Sequence, residues 1–176
     1  MANIAIILGT SRPGSYTSKA LALILDEFSK KDGVQVNVID PAKLTLLFPD
    51  QDGDKSDQQK IQEIVKNADG VVFATPEYHG SMSAKAKLII ENLAYPSVLA
   101  GKPVVMMGVA AGGIGATKTL EQLRLTLSHV GAIVLPFPVS VASVQKVFTE
   151  EGECQDENIE ALLRGLTDRL LEYIDG

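Results

Sequence analysis

Short, almost wholly apolar runs alternate along the chain with longer stretches whose apolar residues recur every three or four positions. Asn3 to Leu8 is the first run, bounded by Gly9, the pattern of a strand buried on both faces of a parallel sheet. From Ser15 onward, Ala20, Leu21, Ile24, Leu25 and Phe28 fall at helical spacing, and Lys30-Lys31-Asp32-Gly33 supplies the stop. Val34, Val36, Val38 and Ile39 predict a second strand, closing at Asp40-Pro41. Ser56-Asp57-Gln58-Gln59 reads as a capping box with Ser56 at the N-cap, ahead of a helix that places Ile61, Ile64, Val65 and Ala68 on one face. Val71 to Thr75 is a third strand, after which Ser83 caps a helix with Ala86, Ile89, Ile90 and Leu93 inward, ended by Ala94-Tyr95-Pro96. Pro103 to Val109 gives a fourth strand, and Leu120, Leu123, Leu127 and Val130 mark a helix that stops at Gly131. Ala132 to Leu135 is the fifth strand, and Ile159, Leu162, Leu163, Leu166, Leu170 and Ile174 form an amphipathic last helix.

Five strands alternating with five helices, without internal repeat or linker, predict an α/β fold. The expected architecture is a doubly wound five-stranded parallel sheet with helices on both faces, and the flavodoxin-like order 2-1-3-4-5 fits best. The longest irregular connection, Pro41 to Lys55, carries Leu44, Leu46, Leu47 and Phe48. A connection that apolar is expected to pack over the sheet edge; the alternative is a contact with another subunit.

Composition narrows the class. With 176 residues, 45% hydrophobic and a mean hydropathy of +0.13, the chain suits a single domain over residues 1–176. A net charge of −6, an isoelectric point near 4.9 and the lack of a basic run give no footing for nucleic acid or an anionic membrane. No basic region precedes the first apolar run and no stretch approaches 18 apolar residues, so a cytoplasmic location is expected. The single cysteine, Cys154, sits among Glu150, Glu151, Glu153 and Asp156, which disfavour a thiolate. His79 and His129 stand far apart without Cys or His neighbours, so no dedicated metal site is expected, and His129 suits the last turn of its helix as a structural cap.

Chemistry concentrates in three loops that follow strands. Gly9 to Lys19 offers hydroxyls at Thr10, Ser11, Ser15, Thr17 and Ser18 and a guanidinium at Arg12, beside the unpaired amides of a helix start. These are the donors a phosphate wants; the bland reading is a polar turn that caps a helix. A helix terminus supplies only about half a positive charge, so Arg12 must neutralise most of a phosphate dianion. Pro76 to Ser81 and Ala110 to Gly115 are the second and third loops, at the strand ends where open α/β sheets bind ligands. A P-loop requires Lys after the second glycine, but Gly14 is followed by Ser15 and Tyr16. A dinucleotide fold finds its acidic residue in Asp40, yet Gly9-Thr10-Ser11 breaks its glycine pattern. A flavin mononucleotide site uses all three loops, the first for the phosphate and the others for the ring.

Gly9-Thr10-Ser11-Arg12-Pro13-Gly14-Ser15-Tyr16-Thr17 resembles the G-S-x-R-x-G-S-x-N pattern of the NADPH-dependent FMN reductase family, with Thr10 for Ser and Thr17 for Asn. Thr75-Pro76-Glu77-Tyr78-His79-Gly80-Ser81 resembles that family's second signature, T-P-E-Y-N-x-S, and the departures are His79 for Asn, Ser83-Ala84 for Pro-Gly, and Leu88 for Asn. The resemblance spans essentially the whole chain and implies an FMN-dependent NAD(P)H oxidoreductase of flavodoxin-like fold. It places FMN against Thr10, Arg12, Ser15, Tyr16 and Thr17, against Pro76, Glu77, Tyr78, His79 and Gly80, and against Ala110, Gly112 and Gly113. It implies NADPH or NADH as donor and a ping-pong transfer of electrons to quinones, azo compounds, metal ions or free flavin. On that reading the flavin carries the chemistry, no side chain acts as acid or base, and the protein is a homodimer or homotetramer. The rival reading is a flavodoxin-type electron carrier without NAD(P)H turnover, and a third is a flavin-free regulatory domain.

Overall fold

The computed structural model describes every residue from Met1 to Gly176. In chain order its elements are β1 (Ala2–Leu8), α1 (Tyr16–Ser29), β2 (Val34–Ile39), α2 (Ser56–Lys66), β3 (Gly70–Tyr78), β4 (Ser81–Met82) and α3 (Ala84–Glu91). There follow β5 (Pro103–Val109), α4 (Thr117–His129), β6 (Ile133–Val134), β7 (Val139–Val141), α5 (Val144–Val147) and α6 (Glu157–Asp175). The sheet runs β2-β1-β3-β5-β6, all parallel, with β7 also on β5 and β4 folded back on β3.

Alternation along the central strands feeds two cores. Ile4, Ile6 and Leu8 of β1, Val72 and Ala74 of β3, and Val105 and Met107 of β5 face α1 and α6. Their neighbours Ala5, Ile7, Val71, Phe73, Val104 and Met106 face α2, α3 and α4. Both faces are therefore covered, as the unbroken apolar strands predict. Helix α1 buries Ala20, Leu21, Ile24 and Phe28 on one side. Each large side chain buried is worth about 1.5–3 kcal/mol, against a spread of about 0.7 kcal/mol in ordinary helix propensity, so docking on the sheet holds α1 in place.

Strand order, helix placement and the inward residues agree with the sequence pattern; three local expectations do not. The fifth position of the sheet is split. Leu135 N still donates to Val104 O at 2.9 Å, but pairing resumes only at Val139 opposite Met107. Between them lie Pro136 and Pro138, which lack amide donors, and Phe137 at φ +59°. Strand β3 continues past Thr75 to Tyr78, because Pro76 lies beyond the last β1 pair, Leu8 with Ala74, and its missing N–H breaks no bond on that side. The capping box does not form either. Ser56 is the first helical residue, and its amide and hydroxyl both donate to the Asp54 carboxylate at 2.9 Å. A charged acceptor outcompetes a helix amide for that hydroxyl. These bonds also hold the Asp54 carboxyl below its ordinary range.

The Pro41 to Lys55 connection covers the sheet edge. Leu44 and Leu46 pack on the second core, and Asn92 Nδ2 donates to Leu47 O at 3.0 Å, while Phe48 stays exposed. His129 lies in the last turn of α4, as its sequence position predicts.

Candidate functional site

The carboxyl ends of β1, β3 and β5 bring the three loops to one edge of the sheet. Gly9 extends the β1–β3 pairing by donating to Ala74 O at 2.7 Å. A Cβ there would stand 2.9 Å from Ala86 Cβ and 3.0 Å from Ala74 O, so only glycine allows the loop to leave the sheet between β3 and α3. Thr10 is buried, and its hydroxyl accepts from Arg12 N at 3.2 Å, which shapes the turn that carries the guanidinium outward. Arg12 is exposed and forms no salt bridge.

Ser15 is the N-cap of α1, accepting from Ser18 N at 3.1 Å. That leaves the amides of Tyr16 and Thr17 without partners at the start of a 14-residue helix. Thr17 is buried, and its Oγ1 has no hydrogen-bond partner. Such an atom costs about 1–3 kcal/mol unless something else satisfies it. Tyr16 is held by Lys19, whose ammonium sits 4.5 Å from the ring centroid and donates to Thr149 O at 2.9 Å.

The second loop is a hairpin. Glu77 pairs with Met82 and Tyr78 with Ser81, leaving His79 and Gly80 as the turn at φ +51° and +74°. Two successive positive φ values match the right-handed twist of the flanking strands. Histidine is among the residues that tolerate this region, which gives His79 a backbone reason to stand where the family pattern has Asn. Three hydrogen bonds fix the hairpin to α4. Glu77 Oε2 accepts from Thr119 N at 3.2 Å, Ser81 Oγ donates to Gln122 Oε1 at 2.6 Å, and Gln122 Nε2 donates to Gly80 O at 3.2 Å. Helix α4 needs that carboxylate, because its own N-cap, Ala116, offers no side-chain acceptor.

In the third loop Ala110 is tied down at both ends, its N to Val141 O at 2.9 Å and its O from Val144 N at 3.0 Å. Gly112 O accepts from Gly115 N and Ser143 N, which turns Gly112 and Gly113 toward α5.

These pieces enclose a cleft of about 220 Å³. Among the residues expected to bind cofactor, Arg12, Ser15, Tyr16, Thr17, Pro76, Glu77, Tyr78 and Ala110 line it together. Thr10, His79, Gly80, Gly112 and Gly113 lie outside the lining, Thr10 buried at the start of the first loop and the others in the turns of the second and third. Gly14, Val109, Ala111 and Val144 line the cleft without having been singled out. Gly14 and Ala111 stood within loops already marked, and Val109 ended a marked strand. Nothing in the sequence pointed to Val144, which arrives through the pairing of β7 with β5. Arg12 and Glu77 are the charged members of the wall.

A doubly wound parallel sheet whose cleft joins a polar strand–helix loop to an aromatic hairpin defines a flavodoxin-like α/β protein with unpaired donors at its cleft. Residues 2–146 match the model of the NADPH-dependent FMN reductase family, and the chain belongs to that family. It is 29% identical to the NAD(P)H-dependent FMN reductase of Pseudomonas aeruginosa over 163 residues, 90% of this chain and 87% of that one. It is 30% identical to the NADPH azoreductase of a Bacillus species over 176 residues, 97% of this chain and 92% of that one. The solved structure of the flavoenzyme NAD(P)H:(acceptor) oxidoreductase from Paracoccus denitrificans superposes with a TM-score of 0.79. That match covers 99% of this chain and 98% of the other at 23% identity, a likeness of fold. The chain is accordingly an FMN-dependent NAD(P)H oxidoreductase.

Proposed function

We propose that the cleft holds FMN, with the phosphate on the loop from Thr10 to Thr17 and the ring between Pro76-Glu77-Tyr78 and Ala110, and that NAD(P)H and an electron acceptor use it in turn. The observation that carries this reading is Thr17: a buried, cleft-lining hydroxyl without a partner, next to two unpaired amides and an unpaired guanidinium. The amides and the guanidinium can only donate and the Thr17 hydroxyl has a proton to donate, while a phosphate dianion only accepts, so the residues fit the group. The chemistry supplied by FMN when bound is acceptance of hydride from NAD(P)H and release of electrons to a quinone, azo compound, metal ion or free flavin.

The chain's own part is binding and orientation. Arg12 supplies the charge that the helix start lacks. Ser15 holds the first turn of α1 so that the Tyr16 and Thr17 amides point at one place. Glu77, engaged with Thr119 N, fixes the hairpin and is a brace of the pocket, not a proton carrier. Tyr78 and Tyr16 give the cleft aromatic walls. The decisive experiment is FMN titration of the wild type and Arg12→Ala. Loss of a hydrogen bond to a charged group predicts a ten- to hundredfold weaker Kd, at about 1.5–3 kcal/mol, and unchanged affinity removes Arg12 from the phosphate site.

The same proposal takes the chain as one working unit over residues 1–176 that assembles as a homodimer or homotetramer in the cytoplasm. Phe48, Tyr95 and Leu125 support assembly, being 52%, 93% and 72% exposed. Tyr95 and Leu125 flank a groove between α3 and α4 that also presents Ile90 and Val130. Light scattering that returns a multiple of 18.8 kDa bears it out, and a monomer refutes it. No helix is long and apolar enough to cross a membrane.

A further inference from the structure

NADH and NADPH differ only by a 2′-phosphate on the adenosine ribose, so a protein that distinguishes them must offer that dianion a place. The cleft has none to spare: its charged residues are Arg12, committed to the cofactor phosphate on the reading above, and Glu77, committed to Thr119 N. Discrimination must lie on the rim, where the adenosine half of a donor emerges once its nicotinamide is inside.

The rim beside Tyr78 carries a pair of free bases. His79 forms the tip of the β3–β4 hairpin, next in sequence to the cleft-lining Tyr78. Lys118, in the first turn of α4, lies against the same tip, its Cδ 3.5 Å from the position a Cβ on Gly80 would take. Both side chains are exposed and neither forms a salt bridge. Glu77 accepts from the amide of Thr119, and Glu121, three residues along α4, makes no ion pair with Lys118. The elements that carry the pair are joined, because Ser81 Oγ and Gly80 O both bond Gln122 of α4. In a chain of net charge −6, two unpaired donors on adjoining, hydrogen-bonded elements offer an anion a local site.

We propose that His79 and Lys118 receive the 2′-phosphate of NADPH, so that the hairpin tip and the first turn of α4 together set donor choice. The inference rests on the flavin cleft reading, since it needs the nicotinamide to enter beside Tyr78. Lys118 provides the charge and His79 a ring N–H.

Two measurements on the FMN-loaded protein decide it. Calorimetric titration with 2′,5′-ADP and with ADP reads the subsite without turnover: the wild type binds 2′,5′-ADP more tightly, Lys118→Ala loses about tenfold or more of that advantage, and Lys118→Arg keeps most of it. Steady-state kinetics with both donors then show the NADPH-to-NADH ratio of kcat/KM falling by a similar factor in Lys118→Ala, through KM. His79→Asn, which preserves the positive-φ turn, lowers the ratio less. Equal binding of the two adenosine phosphates by the wild type, or a donor ratio untouched in Lys118→Ala, overturns the subsite. Failure of both donors to reduce the wild type overturns the cleft reading instead, so the two are separable.

Discussion

The hydroxyl of Ser83 donates to the carbonyl oxygen of Gly9 and accepts from Ala86 N, joining the first loop to the start of α3 across 74 residues of sequence. One oxygen therefore caps a helix and anchors the backbone from which the first cleft loop departs. The family pattern has Pro at this position, which can do neither with a side chain.

Ser83→Ala removes both bonds at a buried site. Loss of a helix N-cap costs about 0.5–2 kcal/mol, and a stranded buried carbonyl about 1–3 kcal/mol. A loss of about 2–4 kcal/mol on chemical denaturation is the expected result. FMN affinity should fall as well, because Gly9 is no longer held, and an unaffected affinity would show that the loop keeps its shape without the tie.

Thr17→Val gives a two-signed outcome. The hydroxyl is buried and unpartnered in the chain itself, so replacing it with a methyl group should leave the FMN-free protein as stable as before or raise its stability by about 1 kcal/mol. FMN binding should weaken by about tenfold, as one hydrogen bond to a charged group is lost. Thermal melts with and without FMN check both signs at once.

Glu77 offers a test of brace against ligand. Glu77→Ala removes the acceptor for Thr119 N and should destabilise by about 1 kcal/mol. Glu77→Gln keeps an acceptor oxygen but loses the charge that favours the helix start, a smaller cost of about 0.3–1 kcal/mol. If both variants melt like the wild type, the carboxylate is not what caps α4.

How much of this was legible beforehand depends on the range of the interaction. The strand order and the two cores follow from apolar runs such as Val71 to Thr75 and from helical spacing such as Ala20 to Phe28, which are local patterns. The capping box at Ser56 failed because Asp54, two residues upstream, is a charged acceptor for the same hydroxyl. The split of the fifth strand was written in Pro136 and Pro138, but the recovery at Val139 depends on β5 and is invisible locally. At the site, Arg12, Ser15 and Thr17 could be found because the donors of a phosphate cradle are contiguous. Gly112 and Gly113 were expected at the cleft from the family resemblance of a small-residue strand-end loop, and Gly112 O instead accepts from Ser143 N, some thirty residues away. Val144 reaches the cleft by the same route.

Arg164 ties α6 to α1 through charges that acid removes. Its guanidinium meets Asp26 and Glu27 of α1 and, within its own helix, Glu160 at 2.8 Å. Lys30 bonds the same two α1 carboxylates at 2.9 and 3.0 Å. Hydrogen bonds from Lys30 first, and from Arg164, hold the Asp26 and Glu27 carboxyls below their ordinary values of 3.8 and 4.5. Carboxyls that are more acidic folded than unfolded add stability that is complete above those ordinary values and disappears as pH falls through the lowered ones. Lys30 and Lys31 are raised above 10.5 by hydrogen bonds to Asp26 and Asp168 respectively, so their contribution is complete below that value and lost as pH climbs past the raised ones. Arg164→Met keeps most of the side chain's apolar stem and removes the charge. Its melting temperature should lie below that of the wild type by a constant margin between about pH 5 and 9, and the margin should close below about pH 3 as the carboxylates protonate in both proteins. Because Asp26 and Lys30 are about half exposed, 1 M salt should shrink the margin at neutral pH as well. A margin indifferent to both acid and salt would assign the loss to packing and not to charge.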